Sequence, residues 1–406
     1  MTYLPNPQIT INGQDYTGQT INRVRITRGR RTPYERPNAG YANIELRDIG
    51  DLTPLRVGRE VAVTLDDTNG NPVTVFTGLL SDWTSQTIAT GSEPVVIYRV
   101  QAVGPLALLN RRTVLKAGSP AENDGERVLA AVRGADVTWE EVEFGLTWED
   151  AEGTWETFGP VDTSLIENGV FDLAALPPQD TGYNALQVAQ DAGFSGEGIL
   201  FESPDGRIGY ANADRRAQNE RDGFLTIPAA QLDVAGLTLT QQLAEITNRV
   251  TVEYATDVVT AEDPFSIGEF GVYETSFTTL LINQANAQTR ADQFIARHAV
   301  PVLVLQDLPL NLLSTPDTLT NNLLTTNTND AIAITNIPDR LGLTRFEGFV
   351  EGLTITADTF TTQITLTVSD KSLSVGSERW GQVTDTIAWE DVSATLEWAD
   401  ADPVTT

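Results

Sequence analysis

The 406-residue chain contains no cysteine, one methionine, one histidine and only two lysines, Lys116 and Lys371. Without sulfur there are no disulfides, thiolate nucleophiles, cysteine-ligated zinc sites or iron-sulfur clusters. A lone imidazole, His298, excludes a multi-histidine metal site within one chain and leaves one candidate for histidine base chemistry. No Gly-x-Ser-x-Gly elbow is present to supply a serine nucleophile. Gly193, Gly196 and Gly198 lack dinucleotide-loop spacing and precede a strand-like run, so they read as turn glycines. No apolar run approaches the roughly 18 residues of a membrane span, and Met1 to Gln8 is polar and proline-broken rather than a signal peptide. Positive charge is scarce as well: 26 basic against 56 acidic residues give a net charge of -30, the opposite of the basic stripe that nucleic-acid binding needs. These absences argue against an enzyme, and no cofactor is expected.

What is present is enough apolar residue, 40%, for real cores, in a length that predicts two to four domains at roughly 150 residues each. From Thr10 to Val103 the hydrophobic period is two, as in Val24 and Ile26, in Ala42, Ile44 and Leu46, and in Val61, Val63 and Leu65. That alternation predicts half-buried antiparallel strands. The run Asp66 to Pro72 reads as a hairpin turn, because a calcium loop would need an oxygen ligand where Leu65 stands. Ser119 to Glu122 has capping-box spacing before an apolar stripe of Val128, Leu129 and Val132 that stops at Gly134. A second helix is expected over about 182–192, then a hairpin turning at Pro204-Asp205-Gly206. A third is expected over about 283–298, where Ala287, Ala291, Phe294 and Ile295 form one stripe. His298 falls at its C-terminal end, where a cation is favoured.

Two internal repeats stand out. Phe76-Thr77-Gly78 and Phe346-Glu347-Gly348 begin similar strands 270 positions apart, each followed by a second strand-like run. Phe-x-Gly sets an aromatic on the core face while the glycine permits a bulge or a close backbone approach. We read Phe76, Gly78, Phe346 and Gly348 as the repeated core of a duplicated unit. The second repeat is built on tryptophan and acid: Trp139 with Glu140, Trp148 with Asp150 and nearby Trp155, against Trp389 and Trp398. Such clusters could be sugar platforms with paired acids. The sequence favours hooks that bury the indole at a local or subunit contact.

These segments together resemble the baseplate hub and minor tail proteins of long-tailed bacteriophages. The resemblance rests on Thr10-Ile11-Asn12-Gly13 leading into the strand at Val24, then Asn38 to Asp48, then Phe76-Thr77-Gly78. It continues through Asn184 to Tyr210 with its Asp205-Gly206-Arg207 turn and through Ser266-Ile267-Gly268 to Pro301, covering about residues 8–370. It implies a mainly β protein with α+β insertions: a first β-barrel domain at 1–112, a mixed module at 113–222, a second barrel with a helical insertion at 223–372 and a Trp-rich acidic tail at 373–406. It also implies a homotrimer at the virion tail tip, made in the host cytoplasm, whose six barrels meet a sixfold tube. Its partners would be tail tube, distal tail, tape-measure and receptor-binding proteins, with DNA as a non-binding passenger in the lumen. The acidic excess would then repel DNA from the wall. Neither an appended peptidase or muramidase nor an iron-sulfur cluster carries over, and no catalytic residue does. Two other readings remain: a carbohydrate-active β-protein using Trp139, Trp148, Trp389 and Trp398 with Glu140 or Asp150, and a distal tail ring protein.

Overall fold

The computed structural model describes residues 3–135 and 164–375, apart from 19–20, 34, 51, 53–54, 91–92, 233–237, 242–244, 256, 306 and 342. Trp139, Trp148, Trp155, Trp389 and Trp398 therefore lie outside the described residues, as do Glu140 and Asp150.

The alternating sequence of the first hundred residues becomes seven strands. They are β1 (Gln8–Ile11), β2 (Gln14–Thr17), β3 (Ile21–Gly29), β4 (Tyr41–Arg47), β5 (Glu60–Asp66), β6 (Pro72–Thr90) and β7 (Glu93–Val103). In β5, Val61, Val63 and Leu65 are buried while Ala62 and Thr64 are half-buried, as a period of two requires. Asp67 closes the β5–β6 turn by accepting from the main-chain N–H groups of Asn69 and Asn71, both at 2.8 Å.

The middle of the chain carries α1 (Asp124–Gly134), α2 (Ala185–Ser195), β8 (Ile199–Glu202), β9 (Ile208–Ala211) and α3 (Arg215–Asp222). The start of α1 corrects the sequence reading. Asn123 is the N-cap and Glu126 completes the capping box, while Ser119 and Glu122 bond to each other upstream. After α3 come β10 (Leu225–Pro228), β11 (Leu239–Gln241), β12 (Arg249–Tyr254), β13 (Asp257–Glu262), α4 (Pro264–Phe270), β14 (Glu274–Thr278) and α5 (Gln284–His298). The chain then runs through β15 (Leu303–Leu305), β16 (Leu308–Asn311), α6 (Asp317–Thr325), β17 (Ala331–Thr335), β18 (Arg345–Ala357) and β19 (Thr362–Asp370).

Instead of two separate closed barrels, the described strands form one 12-stranded sheet in which no pairing closes a ring. Its order is β10-β17-β18-β3-β4-β7-β6-β5-β1-β2, with β19 on β18 and β16 on β19. The cause is the length of β18. Its first half, Arg345 to Phe349, pairs with β17, and its second half, Gly352 to Ala357, pairs with β3. One apolar core consequently runs from Ile9 to Val368 and spans both halves. A second core joins Leu106 to Tyr210 with Val250 to Ala299, so the insertion β12–α5 packs with the middle of the chain. Along α5 the expected stripe is seen, with Ala287, Ala291 and Ile295 buried. No described helix is long and apolar enough to cross a membrane.

Candidate functional site

The place where the three parts of the chain meet is a bulge in β18. Register against β19 shifts between Val350 and Gly352, which turns Glu351 out of the regular alternation and into the joint. Its side chain is fully buried. Arg30, just past β3, donates to it at 2.7 Å, Arg216 of α3 at 2.8 Å and Ser369 of β19 at 2.6 Å. The main-chain oxygen of Glu351 also accepts from the Arg30 N–H at 2.9 Å. Burial alone would raise the carboxyl, but the Arg216 and Arg30 guanidiniums hold it well below the usual carboxylate range. Arg216 lies over the Phe349 ring, 5.1 Å from its centroid, and donates through Nε to Asn329 Oδ1 at 3.1 Å.

Two further buried charges pin the middle of the chain. Glu202, at the end of β8, accepts from the Gly40 and Leu106 N–H groups, both at 2.7 Å. A Cβ on Gly104 would stand 2.3 Å from this carboxylate, so glycine is needed there. Burial pushes Glu202 up to about 7 against the pull of the two N–H groups and Arg28. Glu197 pairs with Arg290 and, at 2.6 Å, with Arg297, and Arg290 lies 5.0 Å from the Phe277 ring centroid. His298 packs on Phe294, with ring centroids 4.2 Å apart. Burial, reinforced by Arg297 and Arg290, lowers it to about 4, so the expected cation at the helix end is a neutral core histidine at pH 7. Gly196 and Gly198 prove to be packing glycines, because a Cβ at either would strike the buried Asp124 or Tyr210, which bond to each other.

The two Phe-x-Gly segments occupy matching positions. Phe76 and Gly78 of β6 stand opposite Val63 and Val61 of β5, while Phe346 and Gly348 of β18 stand opposite Ile334 and Ile332 of β17. Both phenylalanines are buried. A Cβ on Gly78 would lie 2.3 Å from the Val103 carbonyl, and one on Gly348 would lie 2.1 Å from that of Ser369. The following bulges match too. In β6 the register shifts between Leu80 and Asp82, and in β18 between Val350 and Gly352, so Ser81 takes the place of Glu351. Beyond the bulge the two strands differ in company. β18 has β19 on one edge and β3 on the other, whereas β6 has β7 on one edge and, among the described residues, no strand on the other. Sequence reading missed Glu351 and this open edge.

A cleft of about 540 Å³ opens beside the joint, lined by Glu167, Asp205, Arg207, Arg215, Asn329 and Asp330 among others. Two ion pairs lie in it, Arg215 with Glu167 and Arg207 with Asp205, the latter at 2.7 Å, and Asp330 accepts from the Asn327 N–H at 2.8 Å. No group of three or more His, Cys, Asp or Glu placed to hold a metal occurs among the described residues. The tryptophan clusters, whether as assembly hooks or sugar platforms, fall outside the described residues.

No protein-family model and no curated protein matches the sequence. Solved structures do match the fold along almost the whole chain. A tail protein from Neisseria meningitidis MC58 superposes with a TM-score of 0.62 at 13% identity, covering 92% of this chain and 98% of that one. The 43 kDa tail protein of prophage MuSo2 from Shewanella oneidensis superposes with a TM-score of 0.56 at 12% identity, covering 91% of this chain and 99% of that one. The chain thus has a fold that phage tail proteins use.

Proposed function

We propose that this chain is a structural protein of the phage tail, a baseplate hub or minor tail protein at the tail tip. Three copies form a pseudo-sixfold ring that joins the tube to the tip and encloses the DNA channel. The observation that carries this reading is the pair of equivalent strand-bulge-strand units within a single continuous sheet, because three chains then supply six similar units to a sixfold neighbour. The fold likeness to tail proteins along their full length supports the same role.

Under this reading the parts keep the boundaries 1–112, 113–222, 223–372 and 373–406, with the 249–299 insertion serving the middle module's core. Tail tube, distal tail, tape-measure and receptor-binding proteins are the partners. The tryptophans at 139, 148, 155, 389 and 398 serve as assembly hooks toward neighbouring elements. The polar face of the sheet carries Thr27, Thr354, Thr356 and Gln363, with Arg25 and Arg99 and the acids Glu45 and Asp82 among them. If that face lines the channel, the wall is hydroxyl- and amide-rich rather than strongly acidic, and DNA passes it without sticking for want of a dense basic stripe.

Gold labelling of an affinity tag on this chain in intact virions tests the placement. Label confined to the tail tip is expected. Label along the shaft, on the head or absent from virions contradicts it.

A further inference from the structure

We infer that the open edge of β6, residues Trp83 to Thr87, takes the β11 strand of a second copy of this chain, with Thr84 opposite Leu239. The inference deepens the ring reading above and rests on it.

The template lies within the chain. β3 pairs with the second half of β18, Arg28 opposite Leu353 and Thr27 opposite Thr354, and the two threonine hydroxyls lie 3.4 Å apart. Across the repeat, Leu353 and Thr354 correspond to Trp83 and Thr84, because the preceding bulges coincide. The orientation of β6 agrees. Asp48 N–H donates to the Val96 carbonyl at 2.9 Å and Gly104 N–H to that of Gly40 at 2.8 Å, so the even-numbered residues of β7 face β4. Ile97, Arg99 and Gln101 therefore bond to Gln86, Thr84 and Asp82, and the N–H and C=O groups of Trp83, Ser85 and Thr87 point to the open edge. An unpaired edge of this length is a template for another strand. Exposed Ile88 of β6 and Val57, next to the Gly58 N–H that donates to the Leu80 carbonyl, flank it at 40% and 63% exposure, which suits a covered rather than a solvated edge.

The matching strand follows from the same correspondence. β7 and β19 align as Gln101 with Thr367, each being the partner of the residue after the bulge. Glu45 of β4 lies opposite Arg99, and Pro309 of β16 opposite Thr365, so Leu46 corresponds to Leu310. Ile21 pairs with Leu46, and Leu232 bridges Leu310. At the other end Thr27 pairs with Tyr41, and Leu239 pairs with Leu305. Leu239 is thus the counterpart of Thr27. The outer edge of β11, like that of β6, carries no partner strand among the described residues. Joining these two edges repeats the internal joint between copies, in the same register and direction. One difference follows. Ser81 replaces the buried Glu351, so the joint between copies forms without that carboxylate and relies on main-chain pairing and apolar contacts.

The cysteine-free chain makes the test clean. Thr27 and Thr354 flank the hydrogen-bonded Arg28–Leu353 pair, so Thr84 and Leu239 would form a non-hydrogen-bonded pair with Cα atoms about 4.5 Å apart, within disulfide reach. The double variant Thr84→Cys/Leu239→Cys, oxidised under mild conditions, is expected to give covalent species of two and three chains on non-reducing gels, while each single variant gives no three-chain species. A second variant, Ser85→Pro, removes one N–H from the open edge and none from the β6–β7 ladder. It should keep the wild-type circular dichroism and a cooperative unfolding transition but lose the higher-mass species in light scattering. A wild-type trimer with no cross-link in the double variant, or with assembly intact in Ser85→Pro, overturns this joint and leaves the ring reading standing. A wild-type chain that stays single and uncross-linked overturns both.

Discussion

Replacing Glu351 with glutamine is expected to lower the unfolding free energy by about 3 to 5 kcal/mol, because it leaves two buried guanidiniums without their carboxylate. Arg30 and Arg216 both reach this group, at 2.7 and 2.8 Å, with their side chains 10% and 7% exposed. The loss should depend on pH. The folded carboxyl titrates well below its unfolded value, so its contribution is complete above the unfolded pKa of about 4.3 and fades as pH falls toward the folded one. Urea titrations of wild type and E351Q at pH 7 and at pH 3 measure this directly. The gap should be wide at pH 7 and narrower at pH 3, and equal stability at pH 7 would show that the joint does not depend on this charge. A companion variant, E351M/R216M, should recover part of the loss, since it removes the uncompensated charge of Arg216 and leaves only Arg30 without its carboxylate.

The second large effect concerns the repeat. Phe76→Ala and Phe346→Ala should each cost about 3 to 5 kcal/mol, the usual range for emptying a buried phenylalanine site. Both rings are almost completely buried, at 1% and 3% exposure. Gly78→Ala and Gly348→Ala should each cost roughly 1 to 3 kcal/mol or more, since the new methyl meets a backbone carbonyl that cannot swing aside. Denaturant midpoints for the four variants test whether the units are equivalent. Comparable losses within each pair fit two copies of one unit. A loss at 346 and 348 with none at 76 and 78 would mean that only the second unit uses this packing.

Much of the fold was legible because it is local. The period of two marked β3, β4 and β5, and the runs at Phe76 and after it marked β6 and β7, while the apolar stripe of α5 marked a helix whose observed span, Gln284 to His298, begins at the residue after its asparagine cap. The two Phe-x-Gly segments could be picked out because Phe-x-Gly is a constraint of one strand against its immediate partner. The joint could not. β3 and β18 are paired across more than 300 residues of chain, and nothing in either strand's own pattern names its partner. Ser81 and Glu351 share no chemistry, so the coincidence of the two bulges emerges only from the registers. The expected cation at His298 failed for a related reason: helix position is visible in a sequence, but the burial that makes the imidazole neutral comes from Phe294 and the arginines packed round it. The start of α1 was displaced because Ser119 and Glu122 satisfy each other, and Asn123 with Glu126 offers a better cap.

The central claim, that the chain exists to close a ring from paired units, is tested most directly by the absolute mass of the purified protein. Light scattering after size exclusion, run across a range of concentrations, should give three times the 44.1 kDa chain, about 132 kDa. A mass of 44.1 kDa at every concentration, or a species of two chains that grows no further, would contradict it.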